Sequence, residues 1–165
     1  MPIVFERVTD KAQIVSLCEM ARRIWTEHYT PIIGEAQVEY MLEKFQSVDA
    51  VSEQLASGGY EYYFALYHGE YAGFIGIVPE QEKLFLSKLY IDADFRHRGI
   101  AREAMNFLSE YGKQRNLNKI YLTVNRNNTD SIAAYRSMGF DVVCEQVADI
   151  GGGFVMDDYV LERPV

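Results

Sequence analysis

The chain has 165 residues, of which 48% are hydrophobic and 24% charged, and its formal net charge is −8. This composition is typical of a globular protein with a sizeable core, and we expect one domain spanning residues 1–165. The acidic balance argues against a nucleic-acid partner, which would call for a basic stripe. No apolar run approaches the ~20 residues that cross a bilayer, and no signal-peptide pattern is present, so we expect no membrane partner and a cytoplasmic location.

The first part of the chain combines one strand pattern with helical patterns. Ile3–Val8 alternates apolar and polar residues, which predicts a strand. Apolar residues then recur at helical spacing over Asp10–His28, which predicts a helix that Thr30-Pro31 breaks. Helical spacing resumes at about Glu35, and a shorter helical segment covers about Asp49–Ala56.

Strand patterns dominate the second part of the chain. They cover Glu61–Tyr67, Tyr71–Pro79, Leu84–Ile91, Lys119–Val124, Phe140–Ala148 and Phe154–Leu161. Helical patterns cover Gly99–Asn116 and Thr129–Met138. Because residues 84–124 read as strand, helix and strand, a right-handed crossover should join two parallel strands there. We therefore predict an α/β fold with a mixed, mostly antiparallel sheet and helices on both faces.

Cysteine and histidine residues give no sign of a metal centre or a disulfide. Cys18 falls on the apolar face of the first helix and Cys144 in a predicted strand, so we expect two buried free thiols. His68 and His97 have no Cys or His partner at metal-ligand spacing, and we predict no metal.

The most informative motif is Arg96-His97-Arg98-Gly99-Ile100-Ala101, which lies between a predicted strand and a predicted helix. Amide groups in the first turn of a helix lack partners inside the helix, and the helix dipole favours an anion beside them. Gly99 allows close approach of the backbone, and the two arginines add positive charge. The motif thus predicts a phosphate site, with a turn bearing two solvated arginines as the alternative. Neither G-x-G-x-x-G nor the Gly-Lys-Ser/Thr of a P-loop is present.

Two segments together resemble the GNAT superfamily of N-acetyltransferases. Arg96-x-x-Gly99-x-Ala101, after Leu89-Tyr90-Ile91, resembles the acetyl-CoA signature of that superfamily, and Val124–Phe140 resembles its strand–Asn–helix–Tyr–Gly-Phe segment. The predicted order of elements also matches. The resemblance implies that two central parallel strands, here Leu84–Ile91 and Lys119–Val124, splay apart and leave the thioester in the gap.

The resemblance further implies acetyl-CoA as cosubstrate and suggests its contacts. Amides of residues 98–102 would hold the pyrophosphate, and the pantetheine arm would pair with residues 89–91 as an added strand. Asn128 would reach the pantetheine or cap the following helix, and Tyr135 would protonate or stabilise the departing thiolate. The expected acetyl-CoA contacts are Leu89, Tyr90, Ile91, Arg96, His97, Arg98, Gly99, Ile100, Ala101, Arg102, Asn128, Ser131 and Tyr135.

The group that deprotonates the acceptor stays open at this point. An alkylamine with a pKa near 10 is protonated at neutral pH, so reaching its nucleophilic form costs about 4 kcal/mol and calls for a proton acceptor. Some relatives, including bacterial polyamine acetyltransferases, carry a glutamate just before the Leu-Tyr-Ile-like triplet, where this chain has Ser87-Lys88. The alternatives are Glu27, His28, Tyr90, Asp157, Asp158 and a water chain to backbone carbonyls.

We expect the acceptor pocket to come from residues 25–34 and 149–158, which combine aromatic and acidic side chains suited to an amine. Tyr62, Met156 and Asp158 are also expected there. The principal predicted contacts are Trp25, Glu27, His28, Tyr29, Phe154 and Asp157.

The reaction implied is direct attack of an amine on acetyl-CoA in a ternary complex, without an acyl-enzyme. A small amine, in particular a polyamine, suits the acidic chain, and a peptide or protein amino group is the alternative within this class. Alternatives of other classes are a CoA-binding regulatory module that lacks efficient chemistry, and a nucleotide-binding protein. Several relatives dimerise through late strands, which also makes a homodimer an expectation.

Overall fold

The computed structural model describes residues 3–165, over which seven strands form a sheet in the order β1-β2-β3-β4-β5-β7-β6. The strands are β1 Ile3–Arg7, β2 Glu61–Tyr67, β3 Glu70–Pro79, β4 Lys83–Ile91, β5 Lys119–Asn125, β6 Asp141–Gly151 and β7 Phe154–Pro164. The α-helices are α1 Lys11–Ile33, α2 Glu35–Gln46, α3 Val48–Ala56, α4 Ile100–Gln114 and α5 Thr129–Ser137. A short 3₁₀ turn, Ala93–Phe95, precedes α4.

Helices cover both faces of the sheet, as predicted. On one face α1, α2 and α3 bury Leu17, Ile24 and Leu42 against Phe64 and Phe74 of the sheet. The other face carries α4 and α5, which pack on a second core cluster that includes Leu84, Leu86, Met105, Leu108 and Phe140. None of the helices formed by residues 3–165 is long and apolar enough to cross a membrane.

The middle of the sheet contains the splayed parallel pair. β4 pairs with β5 only where residues 83–85 face residues 119–121, although both strands continue beyond that point. The remaining five neighbouring pairs among the described strands are antiparallel. The predicted mixed, mostly antiparallel sheet with a splayed central pair is therefore confirmed.

Helix α1 is longer than its sequence pattern indicates. It begins with a capping box in which Asp10 Oδ1 accepts from the Gln13 amide at 2.8 Å and Gln13 Oε1 accepts from the Asp10 amide at 3.0 Å. The predicted break at Thr30-Pro31 is wrong, because the helix continues through Pro31 to Ile33. Proline removes one backbone donor, but here the loss falls in the last turn, where the Gly34 amide donates to the Thr30 carbonyl at 3.0 Å and ends the helix.

The exposed edge strand β6 corrects the prediction for the second cysteine. Cys144 is exposed rather than buried, because β6 is an outer strand and most of its side chains face solvent. Cys18 is half-buried on α1, and burial raises the pKa of its thiol to about 11. Both thiols are free in the part of the chain that the structure describes.

Candidate functional site

The loop before α4 exposes unpaired amides. Gly99 caps the helix with φ +77°, a left-handed conformation that favours glycine, and a Cβ added there would meet nothing within 4 Å. The first intrahelical bond runs from the Glu103 amide to the Gly99 carbonyl at 3.0 Å. The amides of Ile100, Ala101 and Arg102 therefore have no partner inside the helix and can bind an anion.

A groove of about 650 Å³, here called the long groove, runs from this loop past the end of β4 to α5. It is lined by all but one of the residues predicted to contact acetyl-CoA. Those lining residues are Leu89, Tyr90, Ile91, Arg96, His97, Gly99, Ile100, Ala101, Arg102, Asn128, Ser131 and Tyr135.

The two arginines of the loop point in different directions. Arg98 does not line the long groove: its Nη2 donates to the Asp94 carbonyl at 3.3 Å, and its guanidinium lies 5.3 Å from the Tyr67 ring centre. Arg96 does line the groove, with Nη1 at 3.6 Å from a Glu27 carboxylate oxygen and Nε donating to the Ile91 carbonyl at 3.4 Å. Only Arg96 of the two thus presents its side-chain charge to the groove.

A second cavity of about 240 Å³, here called the inner pocket, lies between α1, α2 and strands β4, β5, β6 and β7. It shares five lining residues with the long groove, and these surround the point where β4 and β5 part. The shared residues are Tyr29, Ser87, Tyr90, Thr123 and Val124. A molecule in the groove and a molecule in the pocket can therefore meet in the gap between the two strands.

The hairpin of β6 and β7 closes the inner pocket because α2 holds it in place. Tyr40 donates its hydroxyl to the Ile150 carbonyl, and Gln37 Nε2 donates to the Val155 carbonyl, each at 2.8 Å. Gly151 allows this approach, since a Cβ at that position would lie 2.5 Å from the Tyr40 hydroxyl. The late hairpin and α2 thus form one wall of the pocket.

The residues predicted to contact the acceptor do not all line the same cavity. Trp25 and Tyr29 line the inner pocket, and Tyr29 also reaches the long groove. His28 lines the groove alone, with Nε2 at 3.1 Å from Asn128 Nδ2, and burial lowers its pKa below 6.5.

Three of the six principal predicted contacts line neither cavity, for different reasons, and Tyr62, which was also expected in the pocket, lines neither as well. Glu27 is exposed and pairs with the loop arginine. Phe154 packs against Tyr40 with ring centres 5.3 Å apart. Asp157 accepts from Arg126 Nε at 2.8 Å, whereas its neighbour Asp158 lines the inner pocket, since successive strand residues face opposite sides.

Asp158 is the acidic side chain of the pocket. It is 3% exposed, and its Oδ1 has no hydrogen-bond partner among residues 3–165. Burial, reinforced by the neighbouring Asp157 charge, raises the pKa of Asp158 to about 6. The carboxylate is thus ionised at neutral pH yet more basic than an exposed aspartate.

Partly buried tyrosines surround the gap between the strands. The Tyr29 and Tyr90 hydroxyls lie 2.8 Å apart, and burial raises the pKa of Tyr29 to about 12. Burial also raises the pKa of Tyr135 well above 10. These hydroxyls stay neutral at physiological pH and serve as hydrogen-bond donors.

Lys88 is the pocket residue that sequence reasoning missed as a functional group. It lines the inner pocket and is 7% exposed, and burial lowers the pKa of its ammonium to about 7. The sequence marked Ser87-Lys88 only as the place where a glutamate is missing. A lysine in the interior of a largely apolar strand was the available signal.

Comparison with known proteins identifies related chains. The sequence profile of the Acetyltransferase (GNAT) family matches residues 17–140. An uncharacterised N-acetyltransferase of Lactobacillus delbrueckii subsp. lactis is 25% identical over 118 residues, which cover 67% of this chain and 68% of that protein.

Two solved structures share the fold over nearly the whole chain. The PaiA N-acetyltransferase of Thermoplasma acidophilum, solved in complex with coenzyme A, has a TM-score of 0.82 at 21% identity and covers all of both chains. A GNAT family acetyltransferase of Elizabethkingia anophelis, with acetyl-CoA bound, has a TM-score of 0.67 at 15% identity over 99% of each chain.

Proposed function

Since the chain belongs to the GNAT family of acetyltransferases, we propose that it transfers the acetyl group of acetyl-CoA to a primary amine by direct attack in a ternary complex. One observation carries this proposal: the long groove and the inner pocket meet in the gap between β4 and β5. A thioester lying in the groove and an amine lying in the pocket would be brought together there, so no acyl-enzyme is needed.

The long groove has groups suited to the pyrophosphate and to the pantetheine arm of acetyl-CoA. The unpaired amides at the start of α4 suit the pyrophosphate, with the side chain of Arg96 beside them. Residues 89–91 pair with β3 on one side only, because β5 has already diverged from β4. Their free backbone groups suit the amide-rich pantetheine arm, which would add to the sheet as a strand.

Tyr135 is proposed to stabilise the leaving thiolate through a hydrogen bond. A CoA thiol, by analogy with cysteine, has a pKa near 8.5, whereas burial holds the pKa of Tyr135 well above 10. Full proton transfer from the phenol to the thiolate is therefore uphill by at least ~2 kcal/mol. Donation of a hydrogen bond avoids that cost, and the thiolate takes its proton from solvent later.

Asp158 is the general base that the geometry favours. It is buried in the inner pocket with an unpartnered oxygen, whereas Asp157 and Glu27 lie outside both cavities and form ion pairs. The acceptor ammonium first gives one proton to the Asp158 carboxylate, directly or through a water, and that proton passes on to solvent. As the neutral amine then forms the N–C bond, its nitrogen loses its basicity and Asp158 accepts the second proton. The acetyl carbonyl carbon gains the nitrogen and then expels the CoA sulfur.

The sequence-based preference for a small amine or polyamine stays a prediction, with a peptide or protein amino group as the alternative. A panel of such amines with acetyl-CoA, followed by release of free thiol, tests the activity. If CoA binds tightly, no amine raises the rate and Tyr135→Phe changes nothing, the chain is a CoA-binding regulatory module. Calorimetric binding of ATP or NAD without CoA would favour the nucleotide-binding alternative.

The choice of base has its own test, which compares neighbouring residues on β7. Asp158→Asn should abolish most turnover, whereas Asp157→Asn is the matched control because it removes a carboxylate that faces away from the pocket. Equal losses in the two variants would contradict the assignment.

A homodimer through the late strands is a further proposal. Val142, Val143 and Val147 are exposed on the edge strand β6, and Val155 is exposed on β7. Sedimentation at micromolar concentration tests it, and Val147→Lys should shift the chain to a monomer. A wild-type protein that sediments as a monomer would refute the dimer without touching the proposed chemistry.

A further inference from the structure

The inner pocket contains a buried lysine, Lys88, that has no anionic partner. Lys88 Nζ donates to Ser87 Oγ at 3.2 Å and lies 4.9 Å and 5.6 Å from the ring centres of Tyr60 and Tyr62. Within residues 3–165, no carboxylate oxygen lies within 4.0 Å of it. Placing an ammonium in such a site is unfavourable unless something else supplies the negative charge.

A β-bulge at Ser87 directs Lys88 into the pocket. Leu86 pairs with Ile77 and Lys88 pairs with Gly76, which leaves Ser87 as the extra residue on β4. Strict alternation would place Lys88 on the same face as Leu84 and Leu86, in the core beneath α4. The extra residue shifts the alternation, so that Lys88 turns to the α1 face instead.

Residues of β2 and β3 lie in register with Lys88 and leave space for its side chain. Tyr62, Gly76 and Lys88 form one row across β2, β3 and β4. A Cβ at position 76 would lie only 2.8 Å from the Tyr62 ring, so glycine lets that ring lie across the row towards the ammonium. The tyrosine faces near Lys88 favour its charge but cannot neutralise it.

The other residues that line the inner pocket indicate what kind of molecule would carry the negative charge for Lys88. Asp158 supplies an unpartnered buried acceptor, and Trp25 Nε1 is an unpartnered buried donor among the described residues. The other walls include the apolar side chains of Met41, Phe45 and Met156. A volume of about 240 Å³ equals that of about eight water molecules, since each occupies about 30 Å³ in the liquid. The pocket thus combines one cation, one anion and apolar walls in the space of a small molecule.

Building on the proposed acetyl transfer, we propose that the acceptor is a small amino acid-like compound, whose carboxylate binds Lys88 and whose amine faces Asp158 and the strand gap. The two charges of such a zwitterion match the two charges of the pocket, and its apolar body fits the walls. A polyamine would instead bring a second cation against Lys88. Lys88 then acts as the residue that selects acceptors carrying an acid group.

Pairs of acceptors that differ only in the carboxylate test this specificity. Phenylalanine is compared with phenethylamine and leucine with 3-methylbutylamine, each with acetyl-CoA, and spermidine represents the polyamines. In the wild type, kcat/KM should be higher for each amino acid than for its decarboxylated partner. Lys88→Met should lower the ratio of the two kcat/KM values by at least about 30-fold, because it removes one member of a buried charge pair.

Lys83→Met is the matched control. It removes a lysine from the same strand, but Lys83 lies over the Tyr121 ring and lines neither cavity. The ratio of kcat/KM values should be the same in this variant as in the wild type. Lys88→Gln serves as a second substitution at the pocket, and circular dichroism checks that each variant is folded.

Binding can be followed without turnover, because Trp25 is the single tryptophan of the chain and lines the pocket. Titration with leucine should change the Trp25 fluorescence of the wild type. The apparent affinity for leucine obtained from this titration should be at least about 30-fold lower in Lys88→Met.

Three outcomes have distinct meanings. Higher kcat/KM for spermidine or for the decarboxylated amines in the wild type would overturn the inference and leave the proposed acetyl transfer intact. An equal loss for both members of each pair in Lys88→Met would also overturn it, and would mark Lys88 as part of the chemistry. If no amine of any kind releases thiol, the proposed function itself has failed.

Discussion

Replacing Lys88 by methionine should stabilise the protein, and the gain should depend on pH. Burial lowers the pKa of Lys88 from 10.5 to about 7 in the folded state. Below pH 7 Lys88 is protonated in both the folded and the unfolded chain, so the folded state bears the full cost of burying the ammonium. Between pH 7 and 10.5 only the unfolded chain is protonated, and the free energy of unfolding rises with pH.

The size of the effect follows from this pKa difference. A separation of about 3.5 pH units corresponds to ~5 kcal/mol, since each unit is worth about 1.4 kcal/mol. That figure is an upper limit, because relaxation and water entry lower the cost of a buried ion. Lys88→Met should therefore raise the free energy of unfolding by up to ~5 kcal/mol at pH 6, but by only ~2 kcal/mol at pH 9, where most of the cost has already gone.

Urea unfolding at both pH values, followed by the fluorescence of the buried Trp25, measures the difference. Lys83→Met is the control for removal of one positive charge from β4. A Lys88→Met protein that is less stable than the wild type at pH 6 would refute the reasoning. So would a gain in stability of the same size at both pH values, because that gain would then come from packing rather than from the ammonium.

Four further outcomes can be measured separately. The kcat/KM of the wild type should rise with pH through about 6, as the Asp158 carboxyl group loses its proton. In Asp158→Asn this rise should be absent and the rate should fall ~10²–10⁴-fold. An unchanged pH profile in the variant would exclude Asp158 as the base. Tyr135→Phe should lower kcat about tenfold, the value of one hydrogen bond, and complete loss in a folded variant would instead indicate an obligatory acid. Gly99→Val should weaken CoA binding in calorimetry, because φ +77° costs a branched residue ~1–2 kcal/mol and its side chain covers the amides; equal affinity would contradict the assigned anion site. Asp10→Ala should lower Tm by about 2–4 °C, the value of one N-cap in a chain of this size, with kcat unaltered; a fall in kcat would link this distant cap to the site.

Features that depend on residues close together in the sequence could be predicted from the sequence. The loop from Arg96 to Ala101 and the cap at Asn128 lie at helix N-termini because the pattern changes from strand to helix there. The order of elements in turn confines the topology to a few arrangements, and the resemblance to one superfamily selected among them. The fold and the family were therefore predicted correctly.

Features that depend on contacts across the sheet could not be predicted in this way. The exposure of Cys144 follows from β6 being an outer strand, which no local pattern reveals. The end of α1 was placed too early because proline is tolerated where few later helical bonds are lost. Asp157 and Asp158 are equivalent in sequence, and only the pairing of β7 with β5 and β6 turns one to the pocket and the other to Arg126.

The sequence by itself determined the family, the element order and the strand-to-helix turn whose unpaired amides precede α4, since these rest on residues close together in the chain. The tertiary structure alone decided how the acceptor side is built. A one-residue bulge at Ser87 moves Lys88 from the core face to the inner pocket, because side chains alternate along a strand and an added residue reverses every later one. The carboxylate of Asp158 comes to the same pocket from a distant part of the chain, so the two charges proposed to select the acceptor meet only in the folded protein.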